Sequence, residues 1–563
     1  MNAVIGVTLA LALGTGCGSE GNAEPDAGAL DAGVDAGPGY EAADWLFETD
    51  RLLAIDIELS AGDWDAIRFQ SRDILGIFGE TCGLQPAGSP FTYVSGTVTI
   101  EGQTITQVGI RKKGFLGSLD DDKPSLKLDF AEYVPGQRFS GLTKMTLNND
   151  KQDPSHMDQC LGYELFRAAG VPAPRCNYAR VTVNGVPLGI YTHVESMGKP
   201  MLSRHFADTG GNLYEGTLSD FRDGWMGTFE RKTNKADLDR SDLQAIYDAL
   251  ALTDDAAMLA AVEAVIDLDA FFSFWAIETM TSHWDGYAGN NNNFFLYGDP
   301  STGRMTFLPW GTDQLFGPGA SLDPGLTRSA LTERLFLHGP ARARYLTRYG
   351  AILDEVWDDD ALLLEIDRVE TLLADAILAD ETQAWQDAMA ELRATLTGRE
   401  QLLRTALSTT GPGDVDPVSD PLCFDDIGTL DATFTVAYEN GSTTVTLAID
   451  AFGSPVPLAN LAVYAAPSND VPDQSVLYVT ADTDNSRTIV LFIAMPDHRV
   501  MPGTITLGAT GIEAALVVFP PGGGDPETIY FLGGNMTLSS GTATPGSTWQ
   551  GSVTATLWDP PFF

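Results

Sequence analysis

The sequence predicts an α+β domain with a sheet-rich and a helix-rich lobe, followed by an all-β sandwich domain. Three observations favour this order. Alternating, β-branched segments occupy the first part of the chain, apolar residues at three-to-four-residue spacing follow, and short apolar runs between Gly, Pro, Asn and Asp turns fill the last part. A chain of 563 residues, 44% of them hydrophobic, can bury the cores of several domains.

The N-terminus predicts export. Residues 3–13 form an apolar run that is too short to span a bilayer, and small residues lead from it to Cys17. This pattern resembles a bacterial lipoprotein signal, with residues 1–17 as the signal segment and Cys17 lipidated as a membrane anchor. An ordinary signal peptide cleaved near Gly16 is the alternative. Residues 18–42 repeat the triplet Asp-Ala-Gly and predict a flexible tether.

The α+β domain is predicted over residues 43–408. Strand-like stretches at 96–105 and 179–183, the second followed by an Asn-Gly turn signal, predict β-hairpins. Stretches 239–265 and 361–407 carry Ala, Leu, Glu and Arg with helical periodicity and predict amphipathic helices.

A linker is predicted over residues 409–428, where Gly, Pro, Ser and Asp are frequent. Residues 429–563 hold short apolar runs spaced by turn residues, which is typical of an immunoglobulin-like β-sandwich. The formal charge of -44 repels polyanions, so no nucleic-acid partner is expected.

Four cysteines remain besides Cys17, namely Cys82, Cys160, Cys176 and Cys423. In an oxidising compartment they can form two disulfides. Three pairings are open, of which Cys160 with Cys176 is the local one. Buried free thiols are the alternative.

The segment 283–317 carries the residues of greatest chemical interest. It begins with His283-x-Asp285 and reaches Asn290 five residues after the Asp; two strand-like stretches and then Asp313 follow. Phosphoryl transfer needs a carboxylate that orients the attacking hydroxyl, and an amide and a second carboxylate that hold Mg²⁺ on the phosphates. The segment supplies these groups in that order.

Further segments precede it in a characteristic order. They are RKKGFLGSLDDDKPSLKLDF (111–130), the stretch 142–196 with Gly-Val-Pro-Ala-Pro-Arg ahead of a Val-Asn-Gly hairpin, GNLYEG (211–216) and FERKTN (229–234). Together with 283–317 they resemble the CotH family of atypical protein kinases. The resemblance implies a two-lobed kinase-like fold that transfers phosphate from ATP, with Mg²⁺ or Mn²⁺, to Ser or Thr hydroxyls of a surface or envelope protein.

By position, the resemblance makes Asp285 the catalytic base and Asp313 a Mg²⁺ ligand. Asn290 and Asn293 lie in the family's Asn cluster and are implied metal ligands. Gly311 stands where the family carries the first Asp of a Trp-Asp-x-Asp element. A catalytically degenerate surface module, with a role in adhesion or envelope assembly, is therefore the alternative to an active kinase.

The resemblance also implies a cation that contacts the nucleotide phosphates from the family's basic strand. Lys127 is favoured, with Lys123 and Arg111 as alternatives. Its acidic partner is either Glu164, in a predicted helix, or Glu195, at the end of a predicted strand. The sequence leaves the choice between the two glutamates open.

Overall fold

The computed structural model describes residues 41–79, 81–317, 320–413, 415–419, 423–509 and 511–560. The predicted signal segment with Cys17 and most of the predicted tether lie outside the described residues. The described residues form two compact units: the larger contains 41–70 and 83–419, and the smaller contains 71–82 with 423–560. No helix in the described part of the chain combines the length and hydropathy that a membrane span needs.

In chain order the helices are α1 (Ala61–Arg68), α2 (Ile74–Phe78), α3 (Asp158–Ala168), α4 (Lys199–Leu202), α5 (Ser241–Leu250), α6 (Asp255–Val265), α7 (Leu268–Met280), α8 (Tyr287–Asn290), α9 (Ala330–Leu337), α10 (Gly339–Glu355), α11 (Asp359–Leu373), α12 (Thr382–Leu396) and α13 (Arg399–Thr409). The strands of the larger unit are β1 (Leu52–Glu58), β2 (Val94–Ile100), β3 (Gln103–Lys112), β4 (Leu126–Asp129), β5 (Lys144–Asn148), β6 (Cys176–Val183), β7 (Val186–Val194), β8 (Leu213–Gly216), β9 (Glu230–Arg231), β10 (Phe294–Asp299) and β11 (Arg304–Pro309). Those of the smaller unit are β12 (Asp425–Ala437), β13 (Gly441–Ala451), β14 (Ser454–Pro455), β15 (Leu458–Pro467), β16 (Gln474–Thr483), β17 (Thr488–Pro496), β18 (Gly503–Leu507), β19 (Glu513–Phe519), β20 (Thr528–Ser540) and β21 (Thr548–Asp559).

Strands β1 to β7 of the larger unit close into a barrel in the order β1-β2-β3-β4-β5-β7-β6. Neighbouring strands are antiparallel except β1 and β6, which run parallel. Side chains alternate across each strand, so Ile110, Leu128 and Met145 share the apolar core inside the barrel. Lys127 of β4 lies opposite Arg111 of β3, and by the same alternation both face outward.

The rest of the larger unit is built from helices and the sheet β11-β10-β8-β9. Helix α7 is buried on every side from Phe271 onward, as expected of a helix that is apolar all round. The Phe307 ring lies 4.7 Å from Phe271 and 5.6 Å from Phe294, measured between ring centres. This aromatic core fixes both ends of the loop that joins α7 to β10, in which Asp285 lies.

A disulfide between Cys160 and Cys176 joins α3 to β6. Of the pairings that the sequence left open, the structure has the one that contains this local pair. The second disulfide joins Cys82 to Cys423, within the smaller unit. Because α3 is bonded to a barrel strand, its N-terminal end has a fixed position beside β6 and β7.

The smaller unit is one antiparallel sheet in the order β14-β13-β12-β21-β20-β19-β17-β16-β15, with β18 also paired to β20. The all-β prediction is confirmed. Strand β12 pairs with β13 on one edge and with the last strand, β21, on the other. The immunoglobulin-like sandwich stays a prediction. Residues 71–82 belong to this unit: Phe78 of α2 stacks on Phe424 with ring centres 5.5 Å apart.

Candidate active site

Three asparagine amides hold the carboxylate of Asp285. The Nδ2 atoms of Asn290 and Asn293 each donate to it at 2.6 Å, and Nδ2 of Asn292 lies 3.3 and 3.2 Å from its two oxygens. Asn291 and Asn293 have φ angles of 55° and 53°, in the left-handed region that Asn tolerates better than most residues. The run of four asparagines therefore serves both the backbone turn and the carboxylate.

Burial dominates the acidity of this carboxylate. Asp285 is 1% exposed, and burial raises its pKa to about 7. The three asparagine amides lower the pKa, whereas the negative charge of Asp313 raises it. Asp285 therefore gains and loses a proton near neutral pH, which is the range that suits a general base.

A glutamate that sequence reasoning missed holds the same loop. The Oε1 of Glu278, in α7, accepts the backbone N–H of Tyr287 at 2.8 Å, and its Oε2 accepts that of Ala288 at 2.9 Å. Burial raises the pKa of Glu278 to about 8; the two N–H donors lower it and the charge of Asp285 raises it. A Cβ at Gly286 would lie 2.7 Å from Glu278 Cδ, so only glycine leaves this carboxylate its place. A single glutamate in the largely apolar α7 is the signal that could have identified it.

Asp313 follows β11 and is brought to the Asp285 loop by the backbone. The N–H of Trp310 donates to the carbonyl oxygen of Asn293 at 3.1 Å. Gly311 has a φ of 51°, a left-handed conformation that glycine adopts without strain. Asp313 is buried, and its charge acts on Asp285 as described above. The structure thus brings together the predicted base, the asparagines and the second carboxylate.

The N-terminal end of α3 packs against the segment that carries Asp313. Asp158 Oδ2 accepts the backbone N–H of Leu315 at 2.8 Å, and Thr312 Oγ1 donates to the carbonyl of Gln159 at 3.4 Å. Burial raises the pKa of Asp158 well above its usual value, and neighbouring carboxylates, Asp313 among them, raise it further. Sequence reasoning missed both α3 residues, because Asp158 and Leu315 are 157 positions apart in the chain.

Lys113, which lies outside the predicted set of cations, is next to this network. It follows β3, is 4% exposed, and donates from Nζ to Oδ1 of Asn148 at the end of β5. Asn148 Nδ2 donates in turn to Oε1 of Gln159 at 2.6 Å. The same Nζ lies 5.9 Å from the ring centre of Trp310. Contacts between distant elements bring Lys113 here, and no spacing in the sequence indicates them.

The predicted cations make other contacts. Lys127 lies beside Arg111 on the outer face of the barrel. Lys123 forms a salt bridge with Glu381 at 2.8 Å. The choice among these three cations therefore stays a prediction.

The two predicted glutamates are engaged elsewhere. Glu164 lies on the exposed face of α3, where Arg167 and Arg368 are among its charged neighbours. Glu195 is buried and forms salt bridges with Arg175, at 2.9 Å, and with Arg204. Glu195 therefore pairs with arginines, and neither set of neighbours includes a predicted lysine.

The donor set fits a divalent cation that also binds phosphate. Within the described residues, no group of three or more His, Cys, Asp or Glu side chains is arranged as a metal site. Mg²⁺, however, is commonly held by one or two carboxylates together with substrate phosphates and water. The Oδ1 atoms of Asn292 and Asn293 are buried without a hydrogen-bond partner, because their Nδ2 atoms face Asp285. With the carboxylate of Asp313 they supply hard oxygen ligands.

The sequence of this chain is similar to those of spore coat and invasin proteins. Inner spore coat protein H of Bacillus subtilis is 28% identical over 210 residues, which is 35% of this chain and 56% of that protein. Invasin CotH3 of Rhizopus delemar is 26% identical over 202 residues, which is 32% of each. The chain thus spans less than two thirds of the length of these relatives. Among solved structures, the Helicobacter pylori proinflammatory kinase CtkA matches over 53% of this chain and 96% of its own, at 11% identity and a TM-score of 0.28, which is too low to establish a shared fold.

The family comparison covers the whole site. The model of the CotH kinase protein family matches residues 110–401, just over half of the 563 residues, and this range includes Lys113, the α3 helix, Asp285 and Asp313. The resemblance noted in the sequence is confirmed. The chain belongs to the CotH kinase protein family.

Proposed function

We propose that the chain is a two-lobed protein kinase that transfers phosphate from ATP to Ser or Thr hydroxyls of a surface or envelope protein. The barrel and the helical part of the larger unit serve as its lobes. The observation that carries the proposal is the position of Asp285, which three amides hold beside Asp313 inside the family's matching region.

In this proposal Asp285 orients the acceptor hydroxyl and takes its proton as the new oxygen–phosphorus bond forms and the bond to the ADP oxygen breaks. Bound Mg²⁺ supplies positive charge that offsets the charge on the phosphates. Asp313, with the amide oxygens of Asn292 and Asn293, would hold the ion. A pKa of about 7 for Asp285 allows the base to be ionised before the reaction and protonated after it.

The test is transfer of labelled phosphate by the full chain, with ATP, Mg²⁺ or Mn²⁺ and a panel of protein acceptors. We expect label on Ser or Thr and a nucleotide-dependent rise in melting temperature. If neither is seen, the kinase proposal is rejected.

A degenerate surface module is the second candidate, and Gly311 favours it because it removes one acidic side chain of the family's element. If the chain is such a module, we expect a folded protein that neither binds nucleotide nor transfers phosphate. The same assay therefore separates the two candidates.

Activity should depend on pH through Asp285. A general base must be deprotonated, so we expect kcat to rise as the pH increases through about 7 and to level off above it. Because the Asn290 amide lowers the pKa of Asp285, Asn290→Ala should move the midpoint of the profile to higher pH. Steady-state kcat measured from about pH 5 to 9 checks both statements. An Asn290→Ala midpoint equal to that of the wild type would contradict the assignment.

We also propose that the protein is exported and attached to the cell envelope through a lipid on Cys17. In cells, wild-type protein is expected in the membrane fraction and Cys17→Ser in the soluble or secreted fraction, because one substitution removes the acylated side chain. Fractionation followed by immunoblotting checks this, with Cys17→Ala as a second variant. Wild-type protein in the soluble fraction would refute lipidation.

A further inference from the structure

An arginine from a distant helix completes the C-terminal end of α7, directly before the loop that carries Asp285. The carbonyl groups of residues 277–279 accept backbone N–H groups from the chain that follows the helix. The carbonyl of Met280 instead accepts from the guanidinium of Arg399, in α13: Nε lies at 3.0 Å and Nη2 at 2.8 Å. A cation at this end of a helix satisfies a free carbonyl and is stabilised by the helix dipole.

The same guanidinium holds the start of the Asp285 loop. Nη2 of Arg399 donates to Oγ of Ser282 at 2.8 Å. Ser282 has a φ of 55°, a left-handed conformation that is uncommon for a residue other than glycine. Arg399 is 3% exposed, and burial lowers its pKa to about 10, so the side chain is still charged at neutral pH. A buried cation therefore fixes the strained residue from which the loop of the base begins.

Arg399 also contacts the segment that carries Asp313. Its Cζ lies 5.3 Å from the ring centre of Phe316, within the range of a cation–π interaction. Phe316 has a φ of 54°, which is an outlier for so bulky a residue. The backbone N–H of Phe316 donates to the carbonyl of Thr281 at 2.8 Å, so the two segments are also bonded directly to each other.

The two strained residues are placed alike with respect to the two carboxylates. Asp285 follows Ser282 by three positions, and Asp313 precedes Phe316 by three. Strained backbone conformations persist only where the surrounding structure enforces them, and they cluster at functional sites. Here each segment of the proposed site contains one such residue, and both residues contact the Arg399 side chain.

We propose that Arg399 is a positioning residue for phosphate transfer, which keeps the Asp285 loop and the Asp313 segment in the one relative arrangement that the reaction requires. This inference rests on the proposed kinase function and extends its machinery to helix α13. Asp285 orients the acceptor hydroxyl and Asp313 holds the cation on the phosphates, so their separation sets the distance between the reacting groups. Arg399 acts on that separation through Ser282 and Phe316.

The experiment compares Arg399→Met with a matched control, Arg348→Met, in the full chain. Arg348, in α10, likewise donates to a serine hydroxyl and to a carbonyl at the end of a helix: Ser273 Oγ and the Ala169 oxygen each lie at 2.8 Å. Both variants lose the same kinds of hydrogen bond, but only Arg399 contacts the two segments of the site. Urea unfolding measures how much stability each variant loses.

We expect Arg399→Met to lower kcat by about 10- to 100-fold, the cost of a small misplacement of reacting groups. The Mg²⁺ concentration that gives half the maximal rate should rise about ten-fold, because the segment that carries Asp313 loses a support. Arg348→Met should keep the wild-type value of both. Arg399→Lys keeps the charge without the planar fork, so its kcat should lie between those of Arg399→Met and the wild type.

Hydrogen exchange without nucleotide or metal gives a readout that does not depend on activity. In Arg399→Met the backbone N–H of Phe316 and those of residues 281–286 should exchange faster than in the wild type. In Arg348→Met these segments should exchange at the wild-type rate. Unchanged exchange in Arg399→Met would overturn the assignment.

The kinetic outcomes separate this inference from the kinase proposal. If a folded Arg399→Met keeps the wild-type kcat and Mg²⁺ dependence, or if Arg348→Met loses as much kcat, Arg399 is not a positioning residue and the kinase proposal stands. A wild-type protein that transfers no phosphate would reject both. If Arg399→Met does not fold, as judged from circular dichroism, Arg399→Lys decides, and a wild-type kcat in that variant would contradict the assignment.

Discussion

Alanine in place of Asp285 is expected to lower kcat for phosphate transfer by about 10²- to 10⁴-fold, the range that a positioned general base contributes. The carboxylate is the group that takes the acceptor's proton, and three amides fix its orientation. Because the proposed nucleotide contacts come from other residues, the KM for ATP should change little. Initial rates at varied ATP and acceptor concentrations separate the two parameters.

The control for Asp285→Ala is Asp269→Ala, which removes an aspartate that is exposed on α7 and paired with Arg344 at 3.0 Å. We expect wild-type kinetics from it. Asp285→Asn keeps the size of the side chain and should be as inactive as the alanine variant. A kcat for Asp285→Ala within about two-fold of wild type would remove this carboxylate from the chemistry.

Alanine in place of Glu278 is expected to destabilise the fold by about 2–6 kcal/mol, because two buried N–H groups lose their acceptor and each costs about 1–3 kcal/mol. Its carboxylate accepts the N–H groups of Tyr287 and Ala288, and both residues are fully buried. Glu278→Gln keeps one acceptor oxygen and should lose roughly half as much. Urea unfolding of the full chain, followed by tryptophan fluorescence, measures the difference.

The matched control is Glu164→Gln, which changes an exposed helical glutamate and should stay within about 0.5 kcal/mol of wild type. If Glu278→Ala unfolds at the wild-type urea concentration, the glutamate does not hold the loop. If the Glu278→Ala variant is destabilised but keeps the wild-type kcat, Glu278 stabilises the fold but is not needed to position Asp285.

Patterns in the sequence predict contacts between residues that are close in the chain, but not contacts between distant segments. Asp285 and the asparagines were predictable because all four residues of the cluster come from one loop. The helices within 361–407 were predictable from their periodicity, and the structure divides this stretch into α11, α12 and α13. The closed barrel was not predictable, since the parallel pairing of β1 with β6 joins residues more than a hundred positions apart and leaves no mark on either strand.

The missed parts of the site have the same physical origin. Lys113, Asn148 and Gln159 meet through tertiary packing of the barrel against α3, and each is unremarkable in its own segment. Lys127, by contrast, has the alternation of a strand residue, and that pattern fixes the face on which it lies but not what lies over it. Residues 71–82 give no sign in the sequence that they belong with strands that follow residue 423.

The two disulfides set an order in which the chain must mature. Cys160 and Cys176 are 16 residues apart in the chain, whereas Cys82 and Cys423 are 341 residues apart. Closing a short loop costs less entropy than closing a long one. Once the short loop has closed, Cys160 and Cys176 can no longer pair with the wrong cysteine. Cys82 and Cys423 can then pair only with each other. Loss of Cys160 alone would leave Cys176 as a competitor for Cys82, so a substitution in the larger unit would be expressed as misfolding of the β-sheet of the smaller unit.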